Sequence, residues 1–400
     1  MSWRILPAAA IAIAVILSAC GGSGSHTVTP TVAPDPPAVI TIASGQPITI
    51  GVSSAMSGDQ EALGRDIADA ADLAISDAGG VVKGHKIALR REDDGCNDPE
   101  KALAAARTLT SIDSIAGVVG PMCTTGLQAA DKTYADARVA HITPSTTRVE
   151  IAAPEKQYFF RTCWQDDAQA RTQAAYARET ANAASAIVVE DGEPYGKALA
   201  DAFVSAFESA GGRVMSRKRI ERGTTDFSSL AQQVTSASPD VLVFEGLNPE
   251  GVLLAKALRE SAFAGQFIGP DALLSERDFI LAGRGSVDGA IITGGPIPGD
   301  AFVAKFRDRF QRVPATPFVL QSYDAATALI KAIDATATIS ASGELTIDRV
   351  ALAATLHQQR FAGLTGTVAF DDRGDRAGEG AHELGLEVYR VTNGRFEPVR

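Results

Sequence analysis

Residues 48–80 read ITIGVSSAMSGDQEALGRDIADAADLAISDAGG, and this stretch decides the fold. Its first part, residues 48–52, is a short apolar run that predicts a buried strand. Apolar side chains then recur at helical spacing from Ile67 to Ala78, and Gly79-Gly80 predicts the end of that helix. A strand followed directly by a helix is the repeating unit of a parallel sheet.

The same alternation of strand and helix continues along the chain. Further strands are predicted at residues 86–91, 115–119, 139–142, 186–189, 213–219, 241–244, 266–268 and 290–293. Helices are predicted to begin at Asp98-Pro99 and to cover residues 128–136, 300–310, 318–335 and 347–357. The alternation occurs in two runs, and a chain of 400 residues is too long for a single ordinary hydrophobic core. We therefore predict two doubly wound, Rossmann-like α/β lobes of similar design.

The C-terminal end of the chain has a different character. Residues 384–391 and 396–399 read as strands, and Asn393-Gly394 between them is a dipeptide that favours a tight turn. We therefore predict a C-terminal β-hairpin.

The composition is that of a globular protein, with 45% hydrophobic and 21% charged residues. The formal net charge is −11. An acidic surface argues against nucleic acid as a partner and against binding to the surface of anionic lipid.

The N-terminus has the layout of a secretory signal. Arg4 precedes an apolar run at residues 5–17, and small residues lead into Cys20. The run is shorter than the roughly 20 residues that span a bilayer. The segment resembles the signal of a bacterial lipoprotein, which implies cleavage after residue 19 and acylation of Cys20; the alternative is a plain signal peptide with an incidental cysteine. Residues 20–47, rich in Gly, Ser, Thr and Pro, then read as a flexible tether that holds the protein at the outer face of the cytoplasmic membrane or in the periplasm.

The remaining cysteines are Cys96, Cys123 and Cys163. An odd number of thiols outside the cytoplasm predicts one disulfide and one unpaired cysteine. Cys163 is a conceivable nucleophile, but no candidate base accompanies it, so a buried structural thiol is the preferred interpretation.

In open parallel sheets, ligands bind beyond the carboxyl ends of the strands. In the first half of the chain these ends carry hydroxyl side chains. They are Ser57 after the first strand, Thr124 after the third, and Ser145, Thr146 and Thr147 after the fourth. Hydroxyls and the free N–H groups of a helix N-terminus suit a carboxylate, whereas the alternative is that each Ser or Thr only caps a helix.

In the second half of the chain the strand ends carry carboxylates. They are Glu190-Asp191, Glu245 and Asp271. A donor-rich wall opposite fixed negative charge is the arrangement expected for a zwitterion, with its carboxylate on one side and its ammonium on the other. For each acid the alternative is a solvated loop charge or a helix cap.

The sequence contains only incomplete matches to the catalytic and cofactor-binding motifs that we considered. Residues 192–197 fall one residue short of a phosphate-binding loop, and residues 378–380 lack the third glycine of a dinucleotide loop. The histidines are scattered without a metal-binding pair, and no Gly-x-Ser-x-Gly motif occurs. We therefore expect no enzyme, no metal and no cofactor.

Short motifs in a fixed order carry a family resemblance over the chain from Ile48 to its C-terminus. In chain order they are Ala55-Met56-Ser57-Gly58, Asp93-Asp94-Gly95-Cys96-Asn97-Asp98-Pro99, Val119-Gly120-Pro121-Met122-Cys123, Ile142-Thr143-Pro144, Phe160-Arg161-Thr162, Tyr195-Gly196, Asp226-Phe227-Ser228, Ile268-Gly269-Pro270 and Tyr323-Asp324-Ala325. Together they resemble the type I periplasmic binding proteins, specifically the branched-chain amino acid (Leu/Ile/Val) binding proteins of ABC importers.

The resemblance implies a monomeric solute-binding protein that captures an amino acid or related small zwitterion and delivers it to an ABC permease and ATPase complex. The alternative is a ligand-sensing receptor subunit with the same fold. It also implies three chain crossings between the lobes, near Cys163, Thr293 and Asp371, and a Cys96–Cys123 disulfide. The implied N-terminal lobe comprises residues 48–163 and 294–370, and the implied C-terminal lobe residues 164–293 and 371–400.

The resemblance further implies ligand contacts. Thr124 would bind the ligand carboxylate, Tyr195 would close over the ligand, and Asp271 would hold the ammonium. Ser145 and Thr147 would contribute backbone and hydroxyl contacts to the carboxylate and the ammonium.

The sequence departs from the family pattern at several of these positions. Asp271 replaces a longer glutamate, Leu63 and Leu247 stand where tyrosines are expected, and Glu245 stands where glycine is usual. A second acid beside the pocket would favour a polar or cationic ligand side chain. Trp164 would either line the cleft or brace the hinge.

Overall fold

The structure is a computed structural model and describes residues 37–378, 381 and 383–399. These residues belong to one compact unit. Within these ranges, no helix combines the length and the apolar character needed to cross a membrane. The predicted signal segment, Cys20 and the first part of the predicted tether lie outside the described residues.

The strands of the described chain alternate with helices over most of its length. In order, the strands are β1 (Val39–Ile42), β2 (Ile48–Ser54), β3 (Val81–Val82), β4 (His85–Asp93), β5 (Ile115–Val119), β6 (Ala140–Thr143), β7 (Phe159–Arg161), β8 (Ser185–Glu190), β9 (Arg213–Arg219), β10 (Val241–Glu245), β11 (Gln266–Gly269), β12 (Ile291–Gly294), β13 (Thr338–Ile339), β14 (Leu345–Asp348), β15 (Arg360–Gly363), β16 (Gly366–Ala369), β17 (Glu387–Thr392) and β18 (Arg395–Pro398). The helices are α1 (Glu61–Asp77), α2 (Pro99–Thr110), α3 (Thr124–Asp136), α4 (Asp166–Ala175), α5 (Pro194–Ser209), α6 (Ser228–Ala237), α7 (Glu250–Glu260), α8 (Asp300–Phe310), α9 (Val319–Thr336) and α10 (Arg349–Gln358).

The N-terminal lobe is built on a six-stranded sheet in the order β3-β4-β2-β5-β6-β7. The strands from β4 to β7 run parallel, and the short β3 is antiparallel to β4. Strands β2 and β5 are buried along their whole length, because helices cover both faces of the sheet. Ile67 of α1 and Leu329 of α9 pack in one core, and Leu109 of α2 and Tyr134 of α3 pack in the other.

The C-terminal lobe repeats this design on a seven-stranded sheet in the order β18-β17-β12-β11-β10-β8-β9. Helices α4 and α5 cover one face and α6 and α7 the other. Strands β17 and β18 are antiparallel and turn at Asn393-Gly394, whose positive φ angles of 50° and 72° suit a tight hairpin turn. The predicted α/β class, the two doubly wound sheets and the C-terminal hairpin are confirmed.

The chain passes between the two sheets three times. It leaves the N-terminal lobe after β7, returns to that lobe after β12, and leaves it again between β16 and β17. The third passage follows Arg376, because Asp375 is still held by the N-terminal lobe: Arg161 Nε donates to its Oδ1 at 2.5 Å. Gln165 Nε2 donates to the other oxygen of Asp375 at 2.6 Å, so one buried carboxylate ties the first passage to the segment that precedes the third.

A strand lies within the segment predicted to be a tether. Residues 39–42 of this segment form β1, which pairs antiparallel with β14. Ile40 and Ile42 are buried while their neighbours are exposed, an alternation typical of a strand with one solvated face. The neighbouring proline-rich composition hides this alternation in the sequence. The strands β13 to β16, which form small sheets late in the chain, were not predicted either.

Candidate ligand-binding cleft

A cavity of about 40 Å³ lies between the two lobes, at the carboxyl ends of their strands. The N-terminal lobe contributes Leu63, Thr124 and Ser145 to its lining, and the C-terminal lobe contributes Tyr195 and Asp271. The structure thus brings together five of the predicted site residues from opposite halves of the chain.

The N-terminal wall centres on the start of α3. Thr124 is the first residue of this helix and is buried. Cys123 precedes it without giving a side-chain cap, so the N–H groups of the first turn carry the partial positive charge of a helix N-terminus toward this wall. Cys123 is joined to Cys96 as a disulfide, which ties this turn to the loop before α2.

The loop after β6 supports this wall in unequal ways. Ser145 Oγ donates to Met122 O at 2.6 Å and keeps its oxygen available as an acceptor. Thr146 lies deeper, where its Oγ1 contacts Pro121 O at 3.3 Å. Thr147 Oγ1 is buried without a hydrogen-bond partner. Thr146 and Thr147 do not line the cavity.

Ser57 has a different place from the one expected. Its Oγ donates to Asp93 Oδ2 at 2.6 Å and accepts from Lys101 Nζ at 3.0 Å. These bonds hold the loop that follows β2, and Ser57 is not among the residues lining the cavity.

The C-terminal wall is acidic. Asp271 follows β11 and is 1% exposed, and Tyr195 at the start of α5 donates its Oη to Asp271 Oδ1 at 2.5 Å. Asp271 Oδ2 has no partner. Burial raises the pKa of Asp271 to about 6, against the lowering effect of the Tyr195 hydrogen bond.

Glu245 ends β10 and is wholly buried, with neither carboxyl oxygen hydrogen-bonded. Burial, followed by the charges of Asp271 and Asp166, raises the pKa of Glu245 well above its usual range. Glu245 does not line the cavity. The structure therefore places this acid in the interior of the C-terminal lobe, coupled to Asp271.

Two further buried polar residues near Glu245 lie on α4; they do not line the cavity, and the sequence did not predict them. Asp166 is buried with both carboxyl oxygens unpartnered, and burial raises the pKa of Asp166 to about 7. Gln173 is buried with both amide atoms unpartnered. The available signal was the polar run at residues 165–169, directly after the first crossing.

Trp164 braces the first crossing. Its ring stacks on Phe318 with centroids 5.5 Å apart, and its Nε1 donates to Gln169 Oε1 at 2.8 Å. Gln169 Nε2 in turn donates to Thr293 Oγ1 at 3.1 Å, at the second crossing. Trp164 is buried and is not among the cavity-lining residues.

The other predicted strand-end acids serve their own loops. Glu190 Oε2 accepts from Gly192 N at 2.6 Å. Asp191 accepts from Glu193 N at 3.1 Å and from Leu247 N at 3.2 Å, which joins the loops after β8 and β10. Both acids are buried, so neither is the solvated loop charge of the alternative interpretation.

The remaining thiol is inert. Cys163 is unpaired and fully buried, and burial raises the pKa of its thiol. The preferred interpretation of Cys163 as a buried structural residue agrees with this environment.

Polar contacts cross the mouth of the cleft. Gln60 Nε2, before α1, donates to Asn248 O of the C-terminal lobe at 3.1 Å. The Arg222 guanidinium contacts Asp59 of the N-terminal lobe and Glu250 of its own lobe. Leu63 and Leu247 line the same cavity from opposite lobes and form part of its apolar lining, together with Met122, Ala272 and Phe318.

Comparison with known proteins places this geometry in context. A family model described as periplasmic binding protein matches residues 47–394. The Leu/Ile/Val-binding protein homolog 3 of Brucella melitensis is 30% identical, over 82% of this chain and 88% of its own.

Two solved structures share the fold. The branched-chain amino acid transporter substrate binding protein of Streptococcus pneumoniae, in complex with isoleucine, matches 88% of this chain and 99% of its own with a TM-score of 0.77 at 21% identity. A solute binding protein of an ABC transporter from R. palustris, in complex with benzoate, matches 88% and 95% with a TM-score of 0.74 at 20% identity.

Proposed function

The chain belongs to the periplasmic binding protein family, the solute-binding proteins of ABC transporters, and we infer that it captures an amino acid or a related small zwitterion in the cleft between its lobes. The family consists of extracytoplasmic binding proteins and not of enzymes. The Leu/Ile/Val-binding relatives support an amino acid as the ligand class.

The observation that carries the proposal is the chemical difference between the two walls of one cavity. Thr124 and the start of α3 offer donors on one side, and Asp271 offers a carboxylate on the other. Charge-assisted hydrogen bonds of both signs suit the two ends of an amino acid backbone. The free Asp271 Oδ2 is the acceptor proposed for the ligand ammonium.

The proposed ligand lies with its carboxylate at Thr124 and the N–H groups at the start of α3 and its ammonium at Asp271. Tyr195 orients Asp271 through the hydrogen bond from its Oη. Leu63 and Leu247 then contact the carbon stem of the ligand side chain.

Ligand entry requires the lobes to move apart. The cavity of about 40 Å³ holds little more than one water molecule. We propose rotation about the three chain passages, with the closed form docking on the permease.

The N-terminal features complete the proposal. We propose that residues 1–19 are removed, that Cys20 is acylated, and that the mature protein is a lipid-anchored monomer with the Cys96–Cys123 disulfide. A Cys20→Ser variant is expected to appear in the soluble extracytoplasmic fraction, while the unmodified protein stays with membranes. Mass spectrometry of the mature N-terminus checks the acylation directly, and an unmodified Cys20 in the membrane-bound protein would refute it.

Isothermal titration of the ligand-free protein with a panel of amino acids tests the ligand class. At least one amino acid should bind, and Thr124→Ala should weaken it about tenfold because a hydrogen bond to a charged group is lost. Thr133→Ala, on the same helix away from the cavity, is the matched control and should leave affinity unchanged. If no amino acid in the panel binds, the proposed ligand class is refuted.

A further inference from the structure

A cluster of buried polar side chains next to Asp271 is incomplete as the chain folds. Glu245 ends β10, and Asp166 and Gln173 lie on α4. All three are buried, and the carboxyl oxygens of both acids and both amide atoms of Gln173 lack hydrogen-bond partners. Buried polar atoms almost always have hydrogen-bond partners, so the unpartnered atoms of this cluster indicate that a bound group supplies the missing hydrogen bonds.

The members of the cluster interact with one another. Besides burial, the charges of Asp271 and Asp166 raise the pKa of Glu245; the Gln173 amide lies close enough to lower this pKa, although it does not reach hydrogen-bond geometry with the carboxyl group. Asp271 also contributes to the raised pKa of Asp166, after burial. Asp271 lines the cavity and its charge acts on both acids, so the cluster lies next to the acidic wall of the ligand site, although its three side chains do not themselves line the cavity.

The protein supplies little positive charge to this cluster. The charges acting most strongly on Glu245 are those of Asp271, Asp166 and Asp191, all negative. Arg161 is the cation that acts on Asp166; its Nε is paired with Asp375 Oδ1 at 2.5 Å, while its buried Nη2 has no hydrogen-bond partner. A single ligand ammonium at Asp271 would leave Glu245 without a counter-charge.

We propose that Glu245, Asp166 and Gln173 form a second subsite that binds a cationic nitrogen group on the side chain of the ligand. The protein then selects diamino or guanidino acids over aliphatic amino acids. This inference rests on the proposed function, because Thr124 and Asp271 hold the backbone groups of the same ligand. An ammonium has only donors, and the two carboxylates and the Gln173 amide oxygen are acceptors that match it.

The apolar residues of the cavity fit such a ligand. Leu63 and Leu247 contact the methylene stem, since long cationic side chains bury their stems against apolar surface while their charged ends reach polar groups. The neutral counterpart of the ligand gains the apolar contact but leaves the buried carboxylates unpaired.

Titration calorimetry on the wild-type protein with matched ligand pairs tests the subsite. The pairs are L-ornithine with L-norvaline and L-lysine with L-norleucine, and L-arginine and L-glutamine complete the set. At least one cationic ligand should bind about tenfold tighter than its neutral counterpart. Tighter binding of the neutral member of both pairs, or a preference for glutamine over every cation, would overturn the subsite.

Substitution at the proposed subsite adds an independent readout. Glu245→Gln should remove the preference for the cationic ligand while norvaline or norleucine still binds. Glu276→Gln, an exposed acid of the same lobe, is the charge-matched control and should retain the preference. An unchanged preference in Glu245→Gln would also overturn the subsite, and the wild-type comparison stands if this variant does not fold.

The two proposals fail in distinguishable ways. If no amino acid of any kind binds, the proposed function is wrong. If aliphatic amino acids bind tightly and cationic ones do not, the proposed function stands and the second subsite is wrong.

Discussion

Asp271 illustrates how a binding residue can oppose the stability of the empty protein. Burial raises the pKa of Asp271 to about 6, and its Oδ2 is left without a hydrogen bond. Because the pKa in the folded state exceeds that of the unfolded chain, the folded state disfavours the carboxylate once the pH rises above about 4. At neutral pH the ligand-free protein therefore carries a buried charge that a ligand ammonium relieves.

We expect Asp271→Asn to raise the unfolding temperature of the ligand-free protein at pH 7 and to weaken amino acid binding about 100-fold. Tyr195 retains an oxygen acceptor in this variant, so the change removes the charge and little else. The stability difference should vanish below about pH 3, where the wild-type side chain is protonated in both states. Calorimetric melting and titration measure the two effects, with Glu276→Gln as the exposed control; a lower melting temperature at pH 7 with unchanged affinity would contradict this account.

At the residue scale, the sequence indicates the positions that end strands and misses those on helices. Thr124 and Asp271 could be proposed from the sequence because the carboxyl ends of parallel strands are a general binding location. Asp166 and Gln173 lie on α4, and their proximity to Glu245 depends on how that helix packs on the sheet. The role of Ser57 in holding its loop could not be predicted either, because its partner Asp93 belongs to a different strand.

Elements whose signals are local match the sequence prediction closely. β5, β9 and α8 have the predicted bounds, and Asp98 caps α2 by accepting from the N–H groups of Glu100 and Lys101. β1 and β14 pair although they lie near opposite ends of the sequence. Their stability depends on this long-range pairing, so neither segment alone gives a strong strand signal. β7 is only three residues long, which is too short for a periodic signal.

The start of α1 depends on one close approach. A Cβ added at Gly64 would lie 1.8 Å from Ala55 O, in the loop that follows β2. Gly64→Ala should therefore displace α1 and destabilise the protein by about 2–3 kcal/mol. Urea unfolding measures this loss, and Arg65→Ala on the exposed side of the same helix should change stability by less than about 0.5 kcal/mol. Equal losses in both variants would show that the contact with Ala55 is not the cause.

At the scale of the whole molecule, several buried carboxyl groups shift in one direction. Burial is the largest cause in each, and it raises the pKa of Asp94, Asp191 and Asp271 to about 6 and that of Asp166 to about 7. Between about pH 4 and about pH 7 the folded state consequently binds more protons than the unfolded state, so stability falls as the pH rises. The pKa of Asp131 is about 2 because His141 and Lys156 outweigh its burial, and that contribution is lost only below about pH 4.

We therefore expect the melting temperature of the ligand-free protein to decline from about pH 4.5 to about pH 7. Asp271→Asn should reduce the slope, since one of the shifted groups no longer titrates. Melting curves at constant ionic strength check both statements. A melting temperature that rises steadily across this interval would show that the buried carboxyl groups do not dominate.

Closure of the two lobes is stabilised by a contact that can be removed without disturbing either core. Asp59 is an exposed acid of the N-terminal lobe that pairs with Arg222 of the C-terminal lobe. Arg222 also pairs with Glu250, and Glu250 Oε1 accepts from Gly223 N at 2.6 Å, so loss of Asp59 leaves no buried charge unpaired. Exposed ion pairs contribute about 0.2–1 kcal/mol, and here that free energy favours only the closed form.

Asp59→Ala should accordingly raise the Kd for an amino acid about two- to fivefold, mainly through faster release, with little change in the melting temperature of the ligand-free protein. Asp136→Ala removes an exposed ion pair within α3 and the same charge, so it serves as the matched control and should leave the Kd unchanged. Because salt screens exposed charges, the difference between wild type and Asp59→Ala should shrink at high ionic strength. Stopped-flow measurements of release separate the rates, and equal release from wild type and Asp59→Ala at low salt would mean that the contact between Asp59 and Arg222 does not hold the cleft closed.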